Sequence, residues 1–407
     1  MIFRIEREEY VKLKIAMIFD GLQMGGVERV GSDYAKMLCQ MGNDVTIINL
    51  KPKFYEMKKE FPEKCEYIDF FYSRKFASEQ YAKLVKKGIV GTGVYLGTQI
   101  ILQLFNAIYK LMFRIHFREE YDLSIAFSGH FNDLSFVANN FMKTRRKMCW
   151  LHGALYSYLL ISDGYYQLYN KIKNLIVLVS DAQEEVLTYN RSLHLNISKL
   201  YNPTFINERK IDSNHVQQLK QKYGRFVLMV SRFEYPHKDQ FTVAKMLKIV
   251  REKYGKNLDL VFVGNGPNED DVKELVTSFP EDIQKHIHFE ESRLDVQDYY
   301  NAAFALVHAS VAGEGLPTIM LEALAYDLPM VVTDSKTGPR EILGDNKYGL
   351  LCRVSDPSDM AEKVVRLVES PNLYFKYKEK SKERIKDFAP QEIQIQLEKI
   401  IKNIMGE

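Results

Sequence analysis

Short apolar runs, each followed by a longer stretch with helical spacing, recur along almost the whole of this 407-residue chain. That alternation constrains the fold more than any other feature, because runs of strand length between helical stretches argue for a parallel sheet covered on both faces. Leu13–Phe19 reads as the first buried strand. It leads into the glycine loop Asp20-Gly21-Leu22-Gln23-Met24-Gly25-Gly26 and then a helical pattern over Val30–Met41, the opening of a βαβ unit. Val45–Leu50, Leu123–Phe127, Lys147–Leu151 and Leu175–Val179 are further strands. A proline in the polar break Tyr201-Asn202-Pro203-Thr204 marks a domain boundary. The alternation then restarts, with strands expected at Phe226–Ser231, Leu258–Val263, His286–Phe289, Phe304–His308, Met330–Thr333 and Gly349–Cys352. Helices are expected at Gln240–Lys253, Asn268–Thr277, Val296–Ala303, Pro357–Val368, Leu373–Asp387 and, after Pro390, Gln391–Ile404. The fold class is α/β, with two doubly wound Rossmann-like domains over residues 1–202 and 203–389 and a terminal helix in 390–407. Ligands of such sheets bind outside the carboxyl ends of the strands.

Charge is unevenly spread. Residues 1–200 carry 27 Lys+Arg against 21 Asp+Glu, whereas the remainder carries 29 against 32. A basic first half suggests that it meets something anionic. The four cysteines lie far apart in sequence with no CxxC pair, the usage of a reducing compartment without a structural zinc. Met1–Tyr10 is charged and lacks the apolar core of a signal peptide. From Gly88 to Tyr109 no residue is charged, while Lys83, Lys86, Lys87, Lys110, Arg114 and Arg118 flank the stretch. Its glycines, Gln99, Gln103 and Asn106 make it a poor membrane span. Apolar residues at three- and four-residue steps fit a helix in a membrane interface or, equally, one packed into the first domain's core.

Four segments of the second domain fall where strands end. Ser231-Arg232 and Lys238 follow the first strand, as a cationic pair suited to a diphosphate. Val263-Gly264-Asn265-Gly266-Pro267 is a tight turn that permits close backbone approach. Gly313-Glu314-Gly315-Leu316-Pro317-Thr318 runs into a helix in which Pro317 suits the first position and Glu322 lies about one and a half turns along. A strand end, a glycine turn and a helix N-terminus together make a site for anions and hydroxyl-rich ligands. Thr337-Gly338-Pro339-Arg340-Glu341 begins a short helix whose free N–H groups could cap a phosphate. Alone, the Arg232/Lys238 loop reads equally well as an ordinary exposed loop, and the glycine turn and the acidic pair read more readily as a plain turn and a solvated helix face.

Together they resemble the retaining GT-B glycosyltransferases that carry a Glu-x7-Glu motif, the group 1 type, in the branch that builds bacterial surface polysaccharides and lipid-linked oligosaccharides. The resemblance also takes in Gly25-Gly26-Val27-Glu28 and His152-Gly153 and covers nearly the whole chain. Glu314-Gly315-Leu316-Pro317 is shorter than the common Glu-Gly-Phe-Gly-Leu-Pro, and Phe289-Glu290-Glu291-Ser292 departs from the usual Leu-Gly. The resemblance implies two domains facing across a cleft, with the last helix returning to the first domain. It implies that Arg232 and Lys238 hold the donor diphosphate and stabilise the charge that grows on it. Glu322 would bind the ribose hydroxyls and Glu314 the donor sugar. Leu316, Pro317 and Thr318 would offer backbone N–H groups, with Gly264, Gly266 and Gly338 lining the donor. Gly25 and Gly26 would approach the distal phosphate and the acceptor, and His152 would stand near the anomeric carbon. No metal or other cofactor is expected.

The implied activity is retaining transfer of a hexose or N-acetylhexosamine from a nucleotide sugar, UDP-linked in that branch, to a saccharide acceptor on a lipid diphosphate. Front-face attack is favoured because glycosidase-style double displacement needs a second carboxylate about 5–5.5 Å from the first. The alternatives are a nucleotide-sugar epimerase on the same architecture and a non-catalytic nucleotide-sugar-binding component of a polysaccharide assembly complex. Expected partners are the nucleotide sugar, the saccharide or lipid-linked acceptor and an anionic membrane surface, with no nucleic acid. The expected location is cytoplasmic, peripheral on the inner face of the membrane.

Overall fold

The computed structural model describes residues 12–153, 155, 159, 164–205, 210–293 and 295–406, so the charged lead Met1–Tyr10 lies outside them. The chain divides into two compact units, one of Met1–Val177, Gln183–Lys199 and Gln396–Glu407, the other of Leu178–Ala182 and Leu200–Ile395. The first unit holds strands β1 (Lys14–Phe19), β2 (Asp44–Asn49), β3 (Glu66–Asp69), β4 (Glu120–Ala126), β5 (Lys143–Leu151), β6 (Asn174–Val177) and β7 (Asn196–Lys199). They form one sheet in the order β3-β2-β1-β4-β5-β6-β7, parallel throughout, and the order reverses between β1 and β4. The second unit holds β8 (Phe226–Val230), β9 (Asp259–Val263), β10 (Ile287–Glu290), β11 (Ala305–His308), β12 (Met330–Thr333) and β13 (Leu350–Cys352). These pair in parallel in the order β10-β9-β8-β11-β12-β13, reversing between β8 and β11. Both sheets are therefore doubly wound, as the alternation demands.

Burial explains which elements the sequence announces. The central strands β1, β8 and β11 are almost wholly buried and read as unbroken apolar runs. The edge strands β3 and β7 are half-exposed and polar, so they carry no such run and were not anticipated. The helix Ser213–Tyr223 was also missed; Asp212 caps it by accepting from the Asn214 and His215 N–H groups. In the first unit Phe127 packs on Phe19 and Trp150, with ring centroids 5.3 and 4.9 Å apart, and Tyr34 closes on Trp150 at 5.0 Å. Cys39 and Cys65, remote in sequence, meet there with their sulfurs 3.7 Å apart, and all four cysteines are buried and free.

The uncharged stretch forms the long helix Gly88–His116. One narrow face of this helix packs on the first unit, where Gly91, Tyr95 and Phe113 are buried, and most of its other apolar residues are exposed. Arg146 Nε reaches the Ile404 carbonyl at 3.0 Å, tying β5 to the last helix, Pro390–Met405.

The helix Gly26–Gln40 lies so close to the sheet that a Cβ at Gly31 would fall 2.6 Å from Phe19 Cζ and 3.2 Å from Phe127 Cε1. A neighbouring ring locked on two sides cannot yield without disturbing the aromatic cluster. Gly31→Ala is expected to lower unfolding stability by about 1–3 kcal/mol, seen as an earlier denaturant midpoint; an unchanged midpoint would show that the helix lifts freely.

Candidate functional site

At the carboxyl edge of the second sheet, four loops knit together through their backbones. The turn after β9 sits on the turn after β8: a Cβ at Gly264 would strike the Ser231 carbonyl, and one at Gly266 would lie 2.6 Å from the Phe233 nitrogen. Phe233 N–H donates to the Asn265 carbonyl at 2.9 Å. The loop after β11 is held from both sides. Val311 and Ala312 each donate to the Pro236 carbonyl at 3.0 Å, and the Glu314 carbonyl accepts from Thr337 at 3.0 Å and Gly338 at 2.9 Å. The Gly338 N–H, expected to be open for a phosphate, is therefore already used in building the turn. Gly338 serves packing as well, since a Cβ there would meet the Gly315 carbonyl and lie 2.8 Å from Pro317.

This frame places Glu314 between two cations or potential cations. Lys238 makes an ion pair with Glu314 Oε1, and His308 at the end of β11 places Nε2 2.9 Å from Oε2. Burial alone would raise the Glu314 carboxyl, yet Lys238 and then His308 outweigh it and hold it down at about 2. Glu314 is thus ionised at neutral pH. Burial pushes the His308 imidazole below its ordinary value despite the pull of Glu314, so a neutral ring donates Nε2–H to the carboxylate. Its Nδ1 has no partner among the described residues. His308 escaped notice in the sequence, although a histidine closing an otherwise apolar buried strand was its one signal.

Of the other expected site residues, Glu322 lies on the helix Thr318–Ala325, and Tyr300 donates its hydroxyl to Glu322 Oε2 at 2.8 Å. Pro317 is the residue before this helix rather than its first, and Leu316 is buried. Thr318 opens the helix. Arg232 is exposed and pairs with Glu234 at 2.7 Å, while Gln240 holds the Arg232 carbonyl at 2.8 Å. The structure thus brings Lys238, His308 and Glu314 into one contact and gives Arg232 and Glu322 partners of their own.

The first unit has its own polar cluster, at the switch between β1 and β4. Asp20, just past β1, accepts from Lys51 at 3.1 Å and from Asn132, and its Oδ2 lies 3.4 Å from His130 Nδ1. Burial opposes charge on both partners, but the pairing lowers the Asp20 carboxyl and raises the His130 imidazole. Asp133, beneath them, accepts from the Gly129 N–H at 2.9 Å, and burial pushes its carboxyl up to about 8. His152 places Nε2 2.6 Å from the Phe127 carbonyl, and burial draws its imidazole down to about 4, so it is neutral at pH 7 and donates there. Gly25 precedes the helix Gly26–Gln40, and the Glu28 carboxylate folds over the place a Gly25 side chain would take. Asp20, His130 and Asp133 were not singled out in the sequence; only the fold brings them together. Among the described residues no group of three or more His, Cys, Asp or Glu side chains is placed to hold a metal.

Asp133 gives a pH signature. Its folded value of about 8 exceeds its unfolded value, so the stability it confers is full below about pH 4 and is lost as pH rises toward 8. Asp133→Asn keeps an acceptor for Gly129 but does not titrate. The variant is expected to gain on the natural chain as pH rises from about 4 to about 8, by up to about 1.4 kcal/mol per pH unit. Parallel stability curves would contradict the assignment.

Residues 210–384 match the model of "Glycosyl transferases group 1". The chain is 24% identical, over 94% of its length and 96% of the relative's, to an uncharacterized glycosyltransferase of Haemophilus influenzae. It is 28% identical over 40% of its length, and 43% of the relative's, to a Campylobacter jejuni enzyme named N-acetylgalactosamine-N,N'-diacetylbacillosaminyl-diphospho-undecaprenol 4-alpha-N-acetylgalactosaminyltransferase. The solved structure of Anabaena HepE in complex with UDP and glucose superimposes with a TM-score of 0.73 at 17% identity, covering 96% of this chain and all of that one. TarM superimposes at 0.70, with 15% identity over 97% and 99% of the two chains. The fold is that of the GT-B transferases, and residues 210–384, in the second unit, carry the similarity to the glycosyl transferases of group 1.

Proposed function

We propose that this glycosyltransferase moves a hexose or N-acetylhexosamine from a UDP-sugar to a saccharide carried on a lipid diphosphate, with retention at the anomeric carbon. The observation that carries the reading is the ionised Glu314, fixed by Lys238 and His308 at the strand ends of the second unit. A hexose presents hydroxyls that such a carboxylate can accept, and a nucleoside diphosphate presents charge that a lysine can meet. UDP as the nucleotide is supported by the ligands of similar folds, HepE with UDP-glucose and a pneumococcal transferase with UDP and GlcNAc. The lipid-linked acceptor is supported by the names of two Campylobacter jejuni relatives, both of which act on undecaprenol-linked saccharides.

In this reading Lys238 keeps its contact with Glu314 and turns its remaining ammonium hydrogens to the diphosphate. Arg232 leaves Glu234 to share that charge. Both stabilise the leaving group as the glycosyl bond breaks, and the departing phosphate oxygen accepts the proton of the incoming hydroxyl. Glu322, its rotamer set by Tyr300, receives the ribose hydroxyls, while the backbone of Leu316–Thr318 and the close-packed Gly264 and Gly266 border the donor. His152 is assigned to the anomeric carbon, and Gly25 and Gly26 to the distal phosphate and the acceptor. Charge neutralisation by the two side chains makes a divalent ion unnecessary. The enzyme works at the inner face of the cytoplasmic membrane, where its acceptor resides.

Lys238→Ala and Arg232→Ala are each expected to lower turnover by a factor of about 100 or more with the fold intact. The measurement is release of UDP in the presence of acceptor, from a panel of UDP-, GDP- and ADP-sugars. Activity should survive EDTA. Near-normal turnover in both variants would remove the diphosphate assignment, and appearance of a new UDP-sugar from donor alone would favour the epimerase.

A further inference from the structure

Twelve large apolar side chains of the helix Gly88–His116 are exposed, among them Val90, Ile101, Leu104, Ile108, Leu111 and Ile115. They recur at steps of three and four, so they form a band along a helix about 44 Å long. An ordinary monomer keeps its exposed apolar patches to a few hundred Å2, and this band is continuous over eight turns. The opposite side of the helix is tied down to the first unit. Tyr95 and Phe113 are buried, Phe113 stacks edge-on against Phe70 at 4.8 Å, and Asn106 and Tyr109 donate to the Phe76 and Phe71 carbonyls. Arg114 Nη2 holds the Asn140 carbonyl at 2.8 Å.

We propose that this helix is an in-plane membrane anchor, its apolar band lying in one leaflet of an anionic bilayer while the first unit stays in water. The inference extends the membrane part of the proposed function by naming the surface and the manner of binding, and it does not depend on the donor site.

Three observations choose lipid over the other possible occupants. By length and composition the helix could cross a bilayer, but Tyr95 is buried and Asn106, Tyr109, Phe113 and Arg114 are held along the same folded unit, so standing upright in lipid would break those contacts. A second copy would cover only one seam, as helix pairs do. Apolar residues spread wider than a seam, and Ile89, Leu96, Ile100 and Phe105 would stay exposed beside it. Charge decides against a copy as well. No acidic residue occurs between Gly88 and Phe117, while Lys83, Lys86 and Lys87 precede the helix and Lys110, Arg114 and Arg118 close it. Two such helices would bring cation against cation whether they ran parallel or antiparallel. Anionic headgroups complement those ends, and acyl chains accept an apolar band of any width.

The test uses the full chain and vesicles containing about one third phosphatidylglycerol in phosphatidylcholine. Ile101→Glu/Ile108→Glu alters two exposed positions without touching the packed side. Flotation of the natural chain is expected, with at least about a tenfold loss in the variant, unchanged far-UV dichroism and melting, and unchanged UDP affinity. Alkaline carbonate should strip the bound protein from the vesicles. Equal flotation of the variant would overturn the proposal, as would protein that resists carbonate, which would mean a span. A natural chain that does not float but is a dimer made monomeric by the variant would assign the face to a second copy. Loss of UDP binding in the natural chain would overturn the donor reading and leave this one standing.

Discussion

A carboxylate taken out of water is costly unless its charge is met, and Glu314 is met twice, by Lys238 and by His308. Much of the second unit's upper edge exists to hold those three groups together. The Pro236 carbonyl anchors the loop that carries Glu314, and Asp239 N–H ties the Lys238 segment to the Ala309 carbonyl at 2.9 Å. The Glu314 carbonyl in turn organises the Thr337–Gly338 corner. The glycines at 264, 266, 313 and 338 are required by close backbone approach, since a side chain at any of them would strike a neighbouring carbonyl. The site is thus preorganised: its charges are paired and its loops cross-linked before any ligand arrives.

The sequence disclosed those features that depend on local chemistry. Central strands were legible because burial on both faces writes an unbroken apolar run, as at β8 and β11. The position of Glu322 followed from helix geometry once Pro317 and the glycines set the start. What stayed hidden depended on tertiary convergence. β3 and β7 are polar because they lie at sheet edges. His308 acquires meaning only when the chain turns Glu314 back over it, and Cys39 and Cys65 meet only through the sheet. Asp20, His130 and Asp133 come from two strand ends and a helix, so no spacing rule could have joined them. For the helix Gly88–His116, periodicity gave the helix but not its neighbours, and only the fold shows that most of its apolar residues are exposed.

The two units carry different physics on the same topology. In the second, the ionised Glu314 at the sheet's carboxyl edge is paired with Lys238 and accepts from the neutral His308. In the first, the cluster at the β1–β4 switch mixes the Asp20–His130 pair, in which contact lowers the carboxyl and raises the imidazole, with a carboxyl and an imidazole, Asp133 and His152, that burial keeps neutral. A region of weak net charge with several hydrogen-bonding groups suits a polyol better than a phosphate. Much of the first half's basic excess lies elsewhere, at the two ends of the apolar helix.

The claim that Lys238 and Glu314 act on the donor as one unit is tested most directly by a double-mutant cycle on kcat/KM for glycosyl transfer, using Lys238→Met, Glu314→Gln and the pair together. If the ion pair is the working element, the double variant should lose no more than about as much as the worse single one, because either change dismantles the same arrangement. Losses that multiply would mean that the two side chains serve the reaction independently and that their contact is incidental.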